Sequence, residues 1–167
     1  MSELVVKCQT EAMRLEEDAL YSSKAHFEAG DCWKRLHLFL GIPAAVAATV
    51  AGISALKDYP TISAVLALSV AALSALITFL NPSARANSHL NAGNHYLSLR
   101  NRARMFCEIE SVNPLDESEL KNKLIQLSDR RDELNTGSPQ IPRWAYLRAK
   151  RGIINGEATH KVDSDHS

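Results

Sequence analysis

The chain has 167 residues, with 19 basic and 19 acidic side chains and a formal net charge of zero. A balanced charge argues against general nucleic-acid binding, which needs a basic surface to neutralise phosphates. Glycine and proline number only 7 and 6, and no long segment alternates apolar and polar residues, so the composition predicts an all-α protein.

The first 35 residues are strongly polar and predict a cytosolic helix. A seven-residue repeat of small or weakly apolar residues runs through it, which favours close packing against a neighbouring helix. Its members are Val5, Cys8, Ala12, Leu15, Ala19, Ser22, His26, Ala29 and Trp33. A signal peptide places its apolar region near the start of the chain, so no cleavage is expected here.

Two uncharged apolar stretches follow, at 36–56 and 61–80, separated by the connector 57–60. A helix rises about 1.5 Å per residue, so each stretch is long enough to cross a hydrocarbon core of roughly 30 Å. We therefore predict a two-span transmembrane hairpin with cytosolic helices on either side. Pro60 and Pro82 fit the helix boundaries, and Pro43 predicts a kink in the first span.

The alternative is a buried hairpin in a soluble helical bundle. Soluble amphipathic helices carry charged residues every few positions on their outer face, and neither stretch contains one. The many leucine, isoleucine, valine and phenylalanine side chains favour insertion into a bilayer. The membrane interpretation is the stronger one.

Basic residues predict the orientation of the spans. Lys34 and Arg35 precede the first span, whereas the connector contains only Lys57, beside Asp58. After the second span come Arg85, Arg100, Arg102 and Arg104. The positive-inside rule therefore places both termini in the cytoplasm and a very short loop outside, in a multi-pass protein of the cell membrane.

Small and hydroxyl residues recur at helical spacing in both spans. The first stripe consists of Gly41, Ala45, Ala48, Gly52 and Ala55, and the second of Ser63, Ala67, Ala71, Ser74 and Thr78. Small side chains let helix backbones approach closely, and hydroxyls can hydrogen-bond across helices. Simple helix packing is one interpretation. The other is that the hydroxyl edge lines a water-filled path, which requires several copies of the chain.

The region 83–155 predicts further cytosolic helices. A helix over about 83–110 carries Tyr96, Leu99, Ala103 and Phe106 on one side. Asn113 and Pro114 are typical of an N-cap followed by proline at the first helical position. The helix that they open carries Leu120, Leu124, Leu127 and Leu134 and ends at 136–139. These helices are expected to form a small bundle.

The segment 141–151 mixes aromatic residues with Arg143, Arg148, Lys150 and Arg151 and contains no acidic residue. It predicts either a helix on the membrane surface or a helix docked on the cytosolic bundle. Residues 156–167 predict a disordered tail.

Signs of catalysis are absent from the sequence. Cys8, Cys32 and Cys107 form no C-x-x-C pattern, so neither a disulfide framework nor a zinc site is expected. His89 and His95 are six residues apart and fall on different helix faces. The sequence contains no nucleophile elbow, phosphate loop or H-E-x-x-H motif. We expect no enzyme activity, no catalytic or metal site and no cofactor.

The order of these parts resembles the SLATT family, over about 3–157. The resemblance depends on the architecture and on two flanking signatures. The first runs from Asn81-Pro82-Ser83-Ala84-Arg85 through His89, Ala92-Gly93, Tyr96, Leu99 and Arg102. The second comprises Ile141-Pro142, Ala145-Tyr146, Ala149-Lys150, Ile153 and Gly156-Glu157.

SLATT proteins are bacterial two-span effectors associated with SMODS nucleotidyltransferases and SLOG sensor domains. The resemblance implies a pore-forming effector of a bacterial conflict or antiviral defence system in the inner membrane. A partner would trigger it: a nucleotide second-messenger synthase, a sensor protein or a reverse transcriptase. No dedicated nucleotide pocket is evident. The basic residues at 100–104 and 143–151 are explained either by an anionic signal or by positive-inside charge and solvated faces.

The leading hypothesis is therefore an oligomeric pore in the lipid bilayer, built from several copies of this chain and disrupting the membrane when triggered. The alternative is a non-conducting membrane anchor or adaptor that recruits a cytosolic partner. Exchange of both spans for unrelated apolar helices distinguishes the two, because an adaptor tolerates the exchange and a pore does not.

Overall fold

A computed structural model describes residues 3–111 and 116–158. Its helices are α1 (Glu3–Leu56), α2 (Pro60–Leu80), α3 (Pro82–Met105), α4 (Glu117–Gly137) and α5 (Arg143–Ile154), and a π-helical turn, Phe106–Glu110, follows α3. The described residues contain no β-strand. The prediction of an all-α protein is thus confirmed.

The chain divides into two compact units. The bundle unit contains the described residues up to Ala29 and from Ser88 onward, and the apolar unit is Gly30–Asn87. Both α1 and α3 contribute residues to each unit.

The core of the bundle unit is built from two clusters that follow the seven-residue repeat of α1. One cluster contains Cys8, Ala12, Phe106, Cys107 and Leu120, and the other contains Ala19, Tyr96, Leu99 and Leu134. Leu127 of α4 packs against both. Alanine recurs on the buried side of α1, and small side chains of this kind let helix axes approach closely.

Helices α1 and α3 approach each other closely at Gly93. A Cβ atom at this position would lie 2.8 Å from a ring carbon of Phe27, nearer than carbon atoms pack. Glycine therefore lets the Phe27 ring lie directly on the α3 backbone, at the cost of some helix propensity.

The structure moves the start of α4 and shows a turn at the beginning of the predicted tail. Helix α4 begins at Glu117 with Asp116 as its N-cap, later than the predicted start, and Asn113 and Pro114 lie outside the described residues. The predicted tail begins in a structured turn. Gly156 adopts a positive φ of 85°, and the Glu157 amide donates to the Gly152 carbonyl at 3.1 Å. Residues 159–167 of that tail lie outside the described residues.

Helix α5 packs on the other helices of the bundle unit through small residues. Ala145, Ala149 and Gly152 are buried. Two ion pairs join this end of the chain to α1: Arg148 to Glu28 at 2.8 Å, and Lys24 to Glu157 at 3.3 Å. The segment is therefore a helix that packs against α1, as one of the two interpretations expects.

Candidate functional site

The apolar unit exposes large hydrophobic side chains along both of its long helices. None of the α2 residues is buried. The exposed residues are Leu38, Phe39, Ile42, Val46, Val50, Ile53, Leu56, Ile62, Val65, Leu68, Leu76 and Phe79. An apolar surface of this extent is unusual in a soluble monomer and marks an interaction with a membrane or with other proteins. Within residues 3–111 and 116–158, two helices are long and apolar enough to cross a membrane.

Within the apolar unit, α1 and α2 contact each other along residues spaced alternately by three and four. Between Leu40 and Leu56, α1 has this spacing at the buried or half-buried Leu40, Ala44, Ala47, Ala51 and Ser54, and Gly41 is also half-buried. On α2 the half-buried positions are Ser63, Leu66, Val70, Leu73, Ile77 and Leu80. Small residues on α1 therefore face mostly large residues on α2. The Ser63 hydroxyl donates to the Ala51 carbonyl at 3.1 Å and joins the two helices.

The stripe predicted on α1 lies beside this contact rather than in it. Gly41 is half-buried, whereas Ala45, Ala48 and Gly52 are exposed. A Cβ atom at Gly41 or at Gly52 would have no neighbouring atom within 4 Å. These small residues therefore leave a shallow outward groove that no other part of the described chain fills.

The stripe predicted on α2 is divided in the same way. Ser63 lies in the α1–α2 contact, but Ala67, Ala71, Ser74 and Thr78 are exposed. The Thr78 hydroxyl donates to the Ser74 carbonyl of its own helix at 2.9 Å. The sequence did not single out the contact residues Ala44 and Ala51. Their spacing alternates by three and four, as does that of the predicted stripe, so periodicity alone could not distinguish the two faces.

The end of α2 is closed by a polar cluster. Asn81 adopts a left-handed conformation with φ 43° and caps the helix. The Arg85 Nε donates to the Leu80 carbonyl at 2.9 Å, and its guanidinium lies 5.0 Å from the centre of the Trp33 ring. Arginine and tryptophan are typical of the boundary between apolar and polar regions of membrane proteins.

The bundle unit contains a buried histidine pair. His26 Nδ1 and His89 Nδ1 are 3.0 Å apart, so one nitrogen must donate a proton that the other accepts. The His26 ring also stacks on Tyr96, with centroids 5.4 Å apart. Burial, and secondarily the nearby His89, lowers the pKa of His26 from 6.5 to about 4. The pair had not been predicted, because the two residues are 63 positions apart.

A cavity of about 490 Å³ opens between the helices of the bundle unit. Tyr21, Tyr96 and Tyr146 line it together with charged residues of both signs. The Tyr96 hydroxyl donates to the Asn135 side chain at 2.8 Å. Burial raises the pKa of Tyr96, so this hydroxyl stays protonated at neutral pH.

The basic residues that sequence analysis considered for an anionic signal are dispersed. Arg100 approaches Glu16 at 3.7 Å, and Arg148 pairs with Glu28. Arg102 lines a separate cavity of about 410 Å³ with His95 and Arg130. The structure therefore does not bring the residues of 100–104 and 143–151 together into a single anion site.

Possible metal ligands and cysteine thiols were located within residues 3–111 and 116–158. No group of three or more histidine, cysteine, aspartate or glutamate residues there could hold a metal ion. All three cysteines are free thiols. Burial raises the pKa of Cys107 to about 11, which keeps this thiol protonated and weakly nucleophilic.

No protein-family model, curated protein or solved structure matches the chain.

Proposed function

We propose that this chain is a two-span membrane effector that oligomerises into a pore in the bacterial inner membrane, in the manner of the SLATT family that its sequence resembles. The observation that carries the proposal is the uncharged apolar surface of α2 and of residues 36–56, exposed on both helices. Water does not solvate such a surface favourably, whereas lipid tails or neighbouring helices do.

The outward stripes support oligomerisation. Two helices cannot enclose a pore, so several copies must meet. The exposed Ala45, Ala48 and Gly52 offer a groove into which a helix of another copy fits closely. On α2, Ser74 and Thr78 lie to one side of the α1–α2 contact and carry hydroxyls suited to a hydrated path. A partner protein of the defence system would supply the trigger, as is proposed for the SLATT family. Both termini of the chain would lie in the cytoplasm.

Membrane potential, measured by dye in bacteria, tests the pore. The chain is expressed alone and beside its native neighbouring genes. We expect depolarisation with the neighbours or at high expression, and its loss in the double variant Ser74→Leu/Thr78→Leu, because leucine removes the hydroxyls and fills the path. Membrane insertion of each variant is checked by carbonate extraction.

The matched control is Ser69→Leu/Ala72→Leu. These exposed residues lie on the opposite side of α2 from Ser74 and Thr78. Ser69 makes the same type of bond as Thr78, to the Val65 carbonyl at 2.9 Å. The control should depolarise like the original chain. Depolarisation by an inserted Ser74/Thr78 variant would reject a path along this edge, and an intact potential under every condition would favour the adaptor.

A further inference from the structure

Helix α5 presents its smallest residues to the rest of the bundle unit and large apolar residues to the outside. Ala145, Ala149 and Gly152 are buried, whereas Leu147 and Ile154 are 52% and 69% exposed. Because an α-helix has 3.6 residues per turn, Leu147 and Ile154 lie opposite the buried side. Trp144, at 44% exposure, borders them. This arrangement reverses the usual amphipathic helix, whose bulky apolar residues face the core.

Basic side chains flank this apolar strip. Arg143, Lys150 and Arg151 are exposed, and no acidic residue occurs within α5. Arg148 instead forms the ion pair with Glu28 that joins α5 to α1. Among the described residues, no ion pair involves the other three cations. We name the set Arg143, Trp144, Leu147, Lys150, Arg151 and Ile154 the outer face of α5.

We propose that the outer face of α5 lies against the anionic headgroups of the membrane, as a second lipid contact besides the two spans. The inference rests on the proposed membrane location of this chain. Helices that lie in a membrane interface combine tryptophan and leucine with lysine and arginine, as this face does. Anionic lipids of the cytoplasmic leaflet attract basic segments close to the surface.

The point at which α5 contacts α1 is close in sequence to the first predicted span, which supports a membrane surface as the partner of the outer face. Its Arg148 pairs with Glu28 of α1, and only residues 29–35 separate Glu28 from the first predicted span at Leu36. Under the proposed topology, this part of α1 precedes the span on the cytoplasmic side, where anionic lipids attract basic segments.

A second copy of the chain fits the face less well. Symmetric pairing of this surface would oppose the same patch on both copies, so Arg143, Lys150 and Arg151 would face their own counterparts. Such like-charge contacts are unfavourable. An anionic lipid surface instead neutralises the three cations while it accepts the apolar strip.

Tryptophan fluorescence of the full chain in vesicles tests the proposal. The chain contains 2 tryptophans, so a Trp33→Phe background leaves Trp144 as the reporter. The Trp33→Phe variant is reconstituted into neutral phosphatidylcholine vesicles and into vesicles that also contain phosphatidylglycerol. We expect Trp144 emission to shift to shorter wavelength, and brominated lipids to quench it, in the anionic vesicles. High salt should reverse both effects because it screens the attraction.

The triple variant Arg143→Gln/Lys150→Gln/Arg151→Gln should lose the anionic-lipid response. A charge-matched control, Lys7→Gln/Arg14→Gln/Lys121→Gln, removes three exposed cations from α1 and α4 and should keep it. Carbonate extraction of the same vesicles reports on the spans separately.

The outcomes separate the two proposals. Equal emission in neutral and anionic vesicles, with the chain resistant to carbonate, would overturn the α5 contact and leave the spans standing. Blue-shifted emission in both lipids without bromine quenching would also overturn it, in favour of a protein against this face. Release of the chain by carbonate would overturn both proposals.

Discussion

At the residue scale, the buried histidine pair is the most unusual feature of the bundle unit. His26 is almost fully buried, and its Nδ1 faces His89 Nδ1 at 3.0 Å. A shared hydrogen bond needs one protonated and one unprotonated nitrogen, so a neutral pair satisfies it. Protonation of both rings would place two cations together in a site with little access to water.

The pair predicts that the bundle unit loses stability in mild acid. The pKa of His26 is lowered in the folded state, from 6.5 to about 4. As the pH falls, His26 therefore binds a proton near pH 6.5 in the unfolded chain but only near pH 4 in the folded chain. Stability contributed by His26 is fully present above pH 6.5 and is lost as the pH falls through this window, by about 3 kcal/mol in total.

Thermal unfolding followed by circular dichroism at pH 7 and pH 5 measures this loss. The variant His26→Gln should show a smaller decrease than the original chain, because glutamine does not titrate. His95→Gln is the control, since His95 is exposed. An identical decrease in all three proteins would assign the acid sensitivity to other groups.

At the element scale, the contact between α1 and α2 depends on small residues of α1. Ala51 is 8% exposed, and its carbonyl accepts the hydroxyl of Ser63. On α2, the larger Leu66 and Val70 are half-buried. Such a contact is sensitive to added volume on the α1 side, since packed helices have little room to separate.

Ala51→Leu is therefore expected to destabilise the helix pair by about 1–3 kcal/mol, the usual cost of overpacking. Ala55→Leu, at an exposed position of the same helix, should change stability much less. Thermal unfolding of both variants in detergent micelles compares them. Equal melting temperatures would show that the α1–α2 contact does not contribute to the stability of the pair.

At the scale of the whole molecule, the proposed topology places the two termini on one side of the membrane and the connector on the other. The chain carries a natural reporter for this arrangement. Cys32 is an exposed free thiol just before the first span, whereas Cys8 and Cys107 are buried. The connector residue Tyr59 is also exposed.

In intact bacteria, a membrane-impermeant maleimide should label a Tyr59→Cys variant in the connector and leave Cys32 unlabelled. Permeabilised cells should show labelling of both positions. Protection of Tyr59→Cys together with labelling of Cys32 in intact cells would show the opposite orientation and overturn the positive-inside assignment.

The sequence by itself determined the helical class and the presence of two long apolar helices. Both follow from local properties: uncharged runs of aliphatic residues, prolines at their ends and a seven-residue repeat in α1. The boundary of α4 was misplaced because Asp116 and Asn113 are both favourable N-caps, and propensity does not choose between neighbouring candidates.

Only the tertiary structure decided which residues face each other. It placed Ala44 and Ala51 in the α1–α2 contact and left Ala48 and Gly52 outside, although all four are small residues in the same uncharged stretch of α1. It also joined His26 to His89 and turned the bulky side of α5 outward. These outcomes depend on contacts between residues distant in the chain, and local periodicity carries no information about which distant partner a face will meet.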